Sequence, residues 1–252
     1  MRTRFLTIVG WLALALAMAP ALAADLPARG YAKAPAKAAA YDWSGFYLGL
    51  NGGAALSREC LTVNSVAGKS VLPNSEGCHQ ATGGLAGGQI GYRWQSASFV
   101  FGIEGQGDWA KLTGSNASQT ALIPYGNQTK VDALGLLTGQ AGYAWSNILA
   151  YAKGGAAITD NKYASAFTGN GLVFNQASDT RWGGTVGTGI EIGLAPNWSV
   201  TAEYDHLFMG KASLNFPQSS VAVPRSDTIG QAVDMGTVRM NYRFGGPVIP
   251  KY

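Results

Sequence analysis

The connections between the predicted strands of this chain alternate between long and short. Eight segments show alternating apolar and polar residues, and the seven connections between them run long, short, long, short, long, short, long. Strands that run up and down in turn place successive connections at opposite ends of a sheet. The sequence therefore predicts antiparallel, up-and-down strands with all short turns at one end and all long connections at the other.

Residues 99–109, FVFGIEGQGDW, show the alternation most clearly. Phe101 and Ile103 fall on one face, and Glu104, Gln106 and Asp108 fall on the other. At about 3.3 Å per residue, a tilted strand of this length crosses roughly the hydrocarbon layer of a bilayer. A half-buried strand of a soluble all-β domain would show the same alternation, so this segment alone leaves both structures open.

The predicted strands are short, and the long connections are expected to be loops. Seven strands are predicted at 43–54, 84–94, 99–109, 148–157, 181–194, 198–207 and about 235–244. The fourth strand lies between the third and the fifth of the eight, and residues 137–145 are predicted to form its end. The expected loops are 56–81, 111–130, 159–180 and about 209–233. The run 134–137 breaks the alternation of the fourth strand and indicates a β-bulge. We expect the long loops to face outside the cell and the short turns to face the periplasm.

Tryptophans fall at the ends of the predicted strands. Trp43, Trp94, Trp145 and Trp198 lie at short-turn or N-terminal ends, and Trp109 and Trp182 lie at long-loop ends. Aromatic girdles at both interfaces are typical of transmembrane barrels. A soluble eight-stranded barrel of the lipocalin type is not expected to sort its tryptophans and loops in this way. The predicted fold class is therefore all-β, an eight-stranded antiparallel up-and-down transmembrane β-barrel.

Composition excludes several other classes. Only 13% of the 252 residues are charged, against about 25% in an average globular domain. The formal net charge of +4 is too small for a nucleic-acid-binding surface, which needs clustered Lys and Arg, so no nucleic-acid partner is expected. Beyond the N-terminus no apolar run approaches the ~18 residues of a membrane-spanning helix, so a membrane-embedded form must use strands.

The N-terminal residues 1–23 have the pattern of a secretory signal peptide. Arg2 and Arg4 precede the apolar run 8–18, and the small residues Ala21 and Ala23 form a cleavage motif. An uncleaved anchor helix is the alternative, which Pro20 disfavours. Residues 24–41, rich in Ala, Pro and Lys, are expected to form a periplasmic tether. Residues 42–252 are expected to form the barrel, with a short tail at 245–252.

Charged residues on the polar faces are predicted to meet inside the barrel. Eight strands enclose a space that side chains just fill, and a buried charge is costly unless it is paired. We therefore expect a lumen charge network of Glu104, Glu191, Glu203, Lys153, Arg239 and Arg243. The inward glycines 49, 102, 142, 187 and 189 are expected to make room for these side chains, although glycines that only ease turns and strand twist are the alternative.

Cysteine and histidine are scarce. Cys60 and Cys78 are the only cysteines, and an even number in an exported chain suggests one disulfide, here inside the first long loop. The only histidines are His79, in the same loop, and His206, whose neighbour Asp205 points to the opposite face. Neither forms a recognisable catalytic arrangement or a complete metal site. We expect no enzymatic activity, no cofactor and no metal.

Five strand motifs resemble those of one family. The residues are DWSGFYLG at 42–49, QIGY at 89–92, GIEG at 102–105, WSVTAEY at 198–204 and VRMNYRF at 238–244. They resemble the alphaproteobacterial outer-membrane β-barrel family, small OmpA-like surface proteins often grouped as porin-family proteins. The resemblance covers about residues 42–244 and is specific for the family rather than for an activity.

The resemblance implies a location in the bacterial outer membrane, with outer-membrane lipid, lipopolysaccharide and the barrel-assembly machinery as partners. Members of the family often end on an aromatic residue that this machinery reads. Tyr242 and Phe244 are therefore the predicted insertion signal, and Tyr252 is the alternative. The predicted function is a structural and surface-interaction role, in envelope integrity and binding of an external ligand. The alternative is a narrow pore for small solutes.

Overall fold

The computed structural model describes residues 41–118, 125–217 and 223–245. The predicted signal peptide, most of the predicted tether and the tail beyond Gly245, including Tyr252, lie outside the described residues. Within the described ranges there is no helix long and apolar enough to cross a bilayer.

Eight antiparallel strands close into a barrel, each paired with its neighbours in sequence and the last paired with the first. The strands are β1 Gly45–Val66, β2 Lys69–Ser96, β3 Phe99–Ala117, β4 Tyr125–Trp145, β5 Ile148–Phe167, β6 Val173–Ala195, β7 Trp198–Phe216 and β8 Arg225–Phe244. The fold class predicted from the alternation is confirmed. We call the end with the turns at 97–98, 146–147 and 196–197 the turn end, and the opposite end the extended end.

The strands are much longer than predicted, and this corrects the expected loops. β1 has 22 residues and β2 has 28, so most of the predicted loop 56–81 is paired strand. The hairpin closes at Ala67 and Gly68, whose φ angles are 51° and 74°. The other three predicted loops also contribute strand residues, which leaves connections only at 118–124, 168–172 and 217–224. The barrel therefore continues at its extended end well past the predicted strands.

The irregularity predicted at 134–137 lies a few residues away. The register of β4 shifts between Val131 and Ala133 against β5. After this shift Leu134 and Leu136 point into the barrel, while Leu137 is exposed on the outer wall. Leucines therefore lie on both faces of β4 in this run, which explains why residues 134–137 do not alternate between apolar and polar.

Large apolar side chains cover the outer wall between two levels. The lower aromatic level, at the turn end, is made by exposed rings of Phe46, Trp94, Phe99, Trp145, Trp198 and Phe244. The upper aromatic level is made by Trp109, which is 80% exposed, Trp182, which is 70% exposed, and Phe208. Beyond the upper level the outward residues are mostly polar. The wall between the two levels is the lipid-facing band.

Trp43 is not part of this girdle, which corrects the prediction. Its side chain is only 2% exposed, and its ring lies 4.4 Å from that of Tyr41. It packs inside the barrel with Val100 and Leu149. Trp43 precedes β1 rather than lying within it, so the strand alternation does not fix its direction. The ring closes the turn end of the lumen.

The interior of the barrel consists of polar and apolar layers of side chains that follow one another along the barrel axis. On β8 the inward side chains run from Arg239 through Met235 and Val233 to Gln231, then Ile229 and Asp227. Met235 and Val233 belong to an apolar layer to which seven of the eight strands contribute. Ile229 belongs to a second apolar cluster, with Leu61, Tyr163, Leu214 and Phe216, nearer the extended end. Side chains thus fill the lumen in layers.

Candidate functional site

An inner charge cluster lies across the lumen at the height of the lipid-facing band. We define it as Glu104, Lys153, Glu203, Asp205 and Arg239, whose side chains are at most 2% exposed. Lys153 Nζ lies 2.6 Å from a Glu203 oxygen and 3.3 Å from a Glu104 oxygen. Arg239 lies 2.9 Å from Glu104 and also contacts Glu203. Salt bridges at the barrel centre therefore link four strands, β3, β5, β7 and β8.

Two tyrosines complete the hydrogen bonding of this cluster. The Tyr47 hydroxyl donates to Glu104 at 2.7 Å, and the Tyr151 hydroxyl donates to Glu203. Neither tyrosine was among the predicted network residues, although both lie on the inward faces. A buried carboxylate needs several hydrogen-bond donors as well as a cation. A tyrosine on the inward face of a strand in a narrow barrel is therefore the sequence signal from which Tyr47 and Tyr151 could have been predicted.

The six residues predicted to form one network do not all meet. Glu191 pairs with Arg93 at 2.8 Å, and Arg93 stacks over the Tyr47 ring at 4.3 Å. Arg243 lies apart, 3.9 Å from Asp42, and donates to backbone oxygens of Ser44 and Pro196 at the turn end. The alternation gives the face on which a residue lies but not its height along the axis, so Arg93 and Asp205 were missed as partners.

Inward glycines lie where the large side chains of the lumen need space. A Cβ added at Gly189 would lie 2.6 Å from the Tyr151 ring, and one added at Gly187 would lie 2.1 Å from Asp205. Gly91 has the same relation to Tyr47, at 2.5 Å. Since real Cβ atoms do not approach so closely, these positions accept only glycine without rearrangement of the cluster.

A second group, the mouth cluster, lies inside the barrel beyond the upper aromatic level. Its members are Glu76, Arg225, Asp227, Tyr125 and Asn127. Arg225 lies 2.7 Å from Asp227 and 3.3 Å from Glu76. Burial raises the pKa of Asp227 to about 6, against the opposing effect of Arg225. The prediction missed this cluster because it assigned these residues to loops.

The two histidines lie in unrelated environments. His79, predicted in a loop, lies in β2 with its side chain inside the barrel, 2.9 Å from the Thr129 hydroxyl, and burial lowers its pKa. His206 lies on the outer wall, and its Nδ1 is 2.6 Å from Asp234 on the neighbouring strand. Tyr204 donates to the same carboxylate at 2.5 Å. Among the described residues no group of three or more His, Cys, Asp or Glu side chains could hold a metal ion.

The predicted disulfide is confirmed, but its setting differs. Cys60 and Cys78 are bonded and face each other directly in the β1–β2 pair, with Cα atoms 4.1 Å apart. The bond therefore joins two paired strands rather than closing a free loop. It lies in the part of the barrel beyond the lipid-facing band.

The predicted insertion-signal residues end β8 at the lower aromatic level. The Phe244 ring lies 5.7 Å from that of Phe46 on β1, and the Tyr242 ring lies 5.0 Å from that of Trp198 on β7. Both rings thus cover the seams between the last strand and its two neighbours. Their reading by the assembly machinery stays a prediction.

Known proteins share this architecture and its sequence pattern. The family described as "Outer membrane protein beta-barrel domain" matches residues 9–244. The 31 kDa outer-membrane immunogenic protein of Brucella melitensis is 29% identical over 210 residues, which cover 81% of this chain and 85% of that protein. The 22 kDa outer membrane protein of Rhizobium leguminosarum bv. viciae is 30% identical over 174 residues, 68% of this chain and 66% of that protein.

Solved structures of outer-membrane proteins match this chain at low sequence identity. The outer membrane protease OmpT of Escherichia coli is 7% identical, with a TM-score of 0.50 over 79% of this chain and 97% of that one. OprG of Pseudomonas aeruginosa is 12% identical, with a TM-score of 0.48 over 79% and 97% of the two chains. At 7% identity the likeness to OmpT concerns the fold alone. The family match over most of the chain shows that this protein belongs to the outer membrane protein β-barrel family and is located in the outer membrane.

Proposed function

We propose that this protein is a closed, non-enzymatic barrel that has a structural role in the outer membrane and binds partners through its extended end. The observation that carries the proposal is the inner charge cluster. Arg239 of β8 reaches both Glu104 of β3 and Glu203 of β7, and Lys153 of β5 joins the same carboxylates. An eight-stranded barrel leaves no clear water path past side chains that meet at its centre.

The extended end is the end that we propose to face outside. In bacterial outer-membrane barrels the turns at the periplasmic side are short and the connections on the external side are longer. Here the turn end has three two-residue connections, whereas the strands of the extended end continue past the upper aromatic level. Three of the four connections at that end are longer, and the fourth is the two-residue hairpin at Ala67 and Gly68. The paired extension offers a raised, mostly polar surface to external partners.

Protease treatment of intact cells tests this orientation. Cleavage is expected near the external connections, at Gly169 and Asn170 for example, and the turn at Asn147 is expected to stay intact until the membrane is opened. Cleavage of intact cells at Asn147 alone would reverse the assignment.

Conductance separates the closed barrel from the alternative, a narrow pore for small solutes. The purified protein in planar bilayers is expected to show little steady conductance. A Glu104→Ala variant is expected to leak because the salt bridges across the lumen are weakened, whereas a Lys69→Ala variant at the hairpin tip is expected to match the wild type. A large, stable conductance of the wild type that Glu104→Ala leaves unchanged would reject the closed barrel and favour the pore.

The environment of the two histidines supports a non-enzymatic role. Catalytic hydrolysis on this fold would need a nucleophile or an activated water held between an imidazole and a carboxylate. The Asp234 carboxylate that contacts His206 also binds the Tyr204 hydroxyl and lies on the outer wall, while the side-chain partners of His79 are Thr129 and Asn116 rather than a carboxylate. A screen of His206→Ala cells for lipid and peptide hydrolysis tests the point, and a lost hydrolytic activity would contradict it.

A further inference from the structure

The Cys60–Cys78 disulfide lies on the outer surface of the barrel. Glu59 and His79, which neighbour the two cysteines along the strands, point into the lumen and are buried, so both cysteines point outward. Cys78 is exposed and Cys60 is half-buried. Exposed disulfides are the labile or regulatory ones, because a thiol dissolved in the surrounding water can reach their sulfurs. The position of this bond therefore opens it to thiol–disulfide exchange.

Cys78 is the more accessible of the two sulfurs. In thiol–disulfide exchange the attacking thiolate approaches along the S–S axis, on the side away from the sulfur that leaves. Because the bond crosses from β1 to β2, Cys78 is attacked from the side of β3. Asn116 of β3 donates to the backbone oxygen of Glu76 at 2.9 Å, so this end of β3 lies beside Cys78. The outward side chains of β3 here are those of Ser115 and Ala117, which are small and leave the approach open.

Cys60 is shielded on its corresponding side. It lies opposite Gly230 of β8, which in turn lies opposite Lys211 of β7, so Lys211, Gly230, Cys60 and Cys78 form one outward row across four strands. We call this the disulfide row. Lys211 Cγ lies 3.7 Å from where a Cβ on Gly230 would stand, so the lysine side chain covers the glycine and hinders attack on Cys60. An external thiol is therefore directed to Cys78, and Cys60 is the leaving group.

Two cations lie beside the leaving sulfur. Lys211 belongs to the disulfide row itself, and the exposed Arg58 lies two residues before Cys60 on the same face of β1. Two residues along a strand span about 7 Å. Nearby Lys and Arg side chains stabilise a thiolate, and a sulfur that is stable as a thiolate leaves faster. The same cations attract a thiol that carries negative charge.

No carboxylate faces outward in the disulfide row or in the two adjacent rows, among the described residues of β1, β2, β7 and β8. The adjacent rows hold, besides Arg58, uncharged residues such as Gln80, Thr62 and Ser213. The nearest outward acid on these strands is Asp234, which lies one row closer to the membrane than Arg58. Its carboxylate is already bound by the side chains of His206 and Tyr204. The surroundings of the disulfide are therefore positive.

We propose that the Cys60–Cys78 disulfide is a modification site for small anionic thiols outside the cell. The thiolate attacks Sγ of Cys78 and forms a mixed disulfide there, while the Cys60–Cys78 bond breaks and its electron pair leaves with the Cys60 sulfur as a thiolate. A second thiolate that attacks the mixed disulfide releases Cys78 as a thiolate and carries away the small thiols as their own disulfide. The external location rests on the orientation given in the proposed function, whereas the exchange chemistry does not.

Exchange is expected to loosen the outer part of β2. The regular pairing of β2 with β3 begins at Thr82 and Thr113, so residues 69–81 keep a strand ladder with β1 alone. Glu76, in this segment, binds Arg225 and Asn127 of the mouth cluster. Loss of the covalent bond therefore frees a segment that carries one of the two carboxylates of that cluster. Amide exchange of residues 69–77 should become faster, while that of the strands around the inner charge cluster should stay unchanged.

Exchange with glutathione, an anionic thiol, tests the proposal. Purified protein in detergent micelles is treated with several concentrations of glutathione, free thiols are blocked with N-ethylmaleimide, and the peptides are identified by mass spectrometry. The rate is expected to rise in proportion to the glutathione concentration, with glutathione on Cys78 and maleimide on Cys60. A rate that does not depend on the glutathione concentration would show that the bond reacts only after unfolding and would overturn the proposal. Glutathione found mainly on Cys60 would overturn the assigned direction of attack.

A pair of charge variants tests the role of the cations. Arg58→Gln/Lys211→Gln is expected to react with glutathione about fivefold more slowly at low ionic strength, as estimated for the loss of two charges roughly 7 Å away in water. High salt should remove the difference, and cysteamine, a cationic thiol, should not be slowed. Lys69→Gln/Lys111→Gln removes the same charge elsewhere beyond the upper aromatic level and should react like the wild type. Equal slowing in both pairs would assign the effect to overall charge and overturn the local site.

A steric variant tests the approach from β3. Ala117→Trp places a large ring beside Cys78 at an exposed strand end without a change of charge, and it is expected to slow exchange with glutathione and cysteamine alike. An unchanged rate with both thiols would overturn the assigned approach.

Labelling of intact cells tests the external location. After glutathione treatment, the freed thiol is expected to react with a polymer-linked maleimide that is too large to cross the outer membrane. Labelling only after the membrane is opened would overturn the external location and, with it, the proposed orientation. Exchange in micelles would still report on the chemistry of the disulfide, so the two failures are distinguishable.

Discussion

The inner charge cluster and the mouth cluster show how the same kind of side chains behave at two heights of one barrel. In the inner cluster Lys153 and Arg239 pair with Glu104, Glu203 and Asp205 within a lumen surrounded by lipid. In the mouth cluster Arg225 alone serves both Glu76 and Asp227, beyond the lipid-facing band. Both clusters join strands across the barrel, but the mouth cluster has one cation for two carboxylates, whereas the inner cluster has two cations for three. We therefore expect the first to support global stability and the second to respond to its surroundings.

The largest effect is expected from breaking the inner cluster. Arg239→Ala leaves Lys153 as the one cation of the cluster for Glu104, Glu203 and Asp205, and removal of one partner of a buried ion pair typically costs about 3–5 kcal/mol. Urea unfolding in detergent micelles measures the loss. Lys69→Ala, at an exposed hairpin tip, serves as the control and should change little. A loss below about 1 kcal/mol for Arg239→Ala would show that the cluster is not a stabilising unit.

The disulfide is expected to have the next largest effect. Removing Cys60 and Cys78 together by substitution with Ser restores freedom to the unfolded chain between them, which the chain-entropy estimate places at about 2–4 kcal/mol. Assembly should not depend on the bond, because β1 and β2 are paired on both sides of it. Heat-modified mobility on gels reports assembly, and unfolding reports stability. A variant that fails to insert would show that the bond is needed for assembly.

A smaller effect is expected in the mouth cluster. Arg225→Ala leaves two buried carboxylates short of donors, at a cost of about 1–3 kcal/mol, and removes a guanidinium 5.0 Å from the Phe216 ring. The loss should be local, with faster amide exchange in the outer parts of β1, β2 and β8. Lys211→Ala is the exposed control. If Arg225→Ala lowers global stability as much as Arg239→Ala does, the two clusters are not different in kind.

The smallest expected effect is a pH dependence of the local stability of the mouth cluster. Because burial raises the pKa of Asp227 to about 6 from an ordinary value of 3.8, the folded state binds a proton more readily than the unfolded state. The mouth should therefore become more stable as the pH falls from 7 to 5, and lose this gain as the pH rises through 6. Amide exchange at Ile229, corrected for its intrinsic rate, measures the change. Asp227→Asn should remove it, and an unchanged profile in that variant would assign the effect to another buried acid such as Glu59.

The difference between the clusters also explains what the sequence could predict. Within the lipid-facing band one face must be apolar and the other polar, so the alternation identified Glu104, Lys153 and Arg239 as inward residues. Beyond the band the outer face is polar, and the inner face mixes residues such as Glu59 and Leu61. The alternation of apolar and polar residues is therefore absent from this part of the sequence, and the sequence pattern of the paired strands is that of loops.

Contacts across the lumen were harder to predict than strand faces. Glu191 and Arg239 lie on inward faces, but whether they meet depends on strand register and tilt, which a single sequence does not contain. Trp43 was misplaced for a related reason, since it stands before the first paired residue of β1.

The apolar layer between the two clusters divides the lumen into electrically separate compartments. Residues of seven strands contribute to it, among them Leu85, Leu134 and Met235. A narrow hydrophobic constriction excludes water by dewetting, so a continuous chain of waters is not expected to connect the external side with the inner cluster. A leak in Glu104→Ala therefore also requires this layer to open, once the salt bridges no longer hold β3, β5, β7 and β8 together. Protons taken up at the mouth should for the same reason leave the ionisation of Glu104 and Glu203 unaltered.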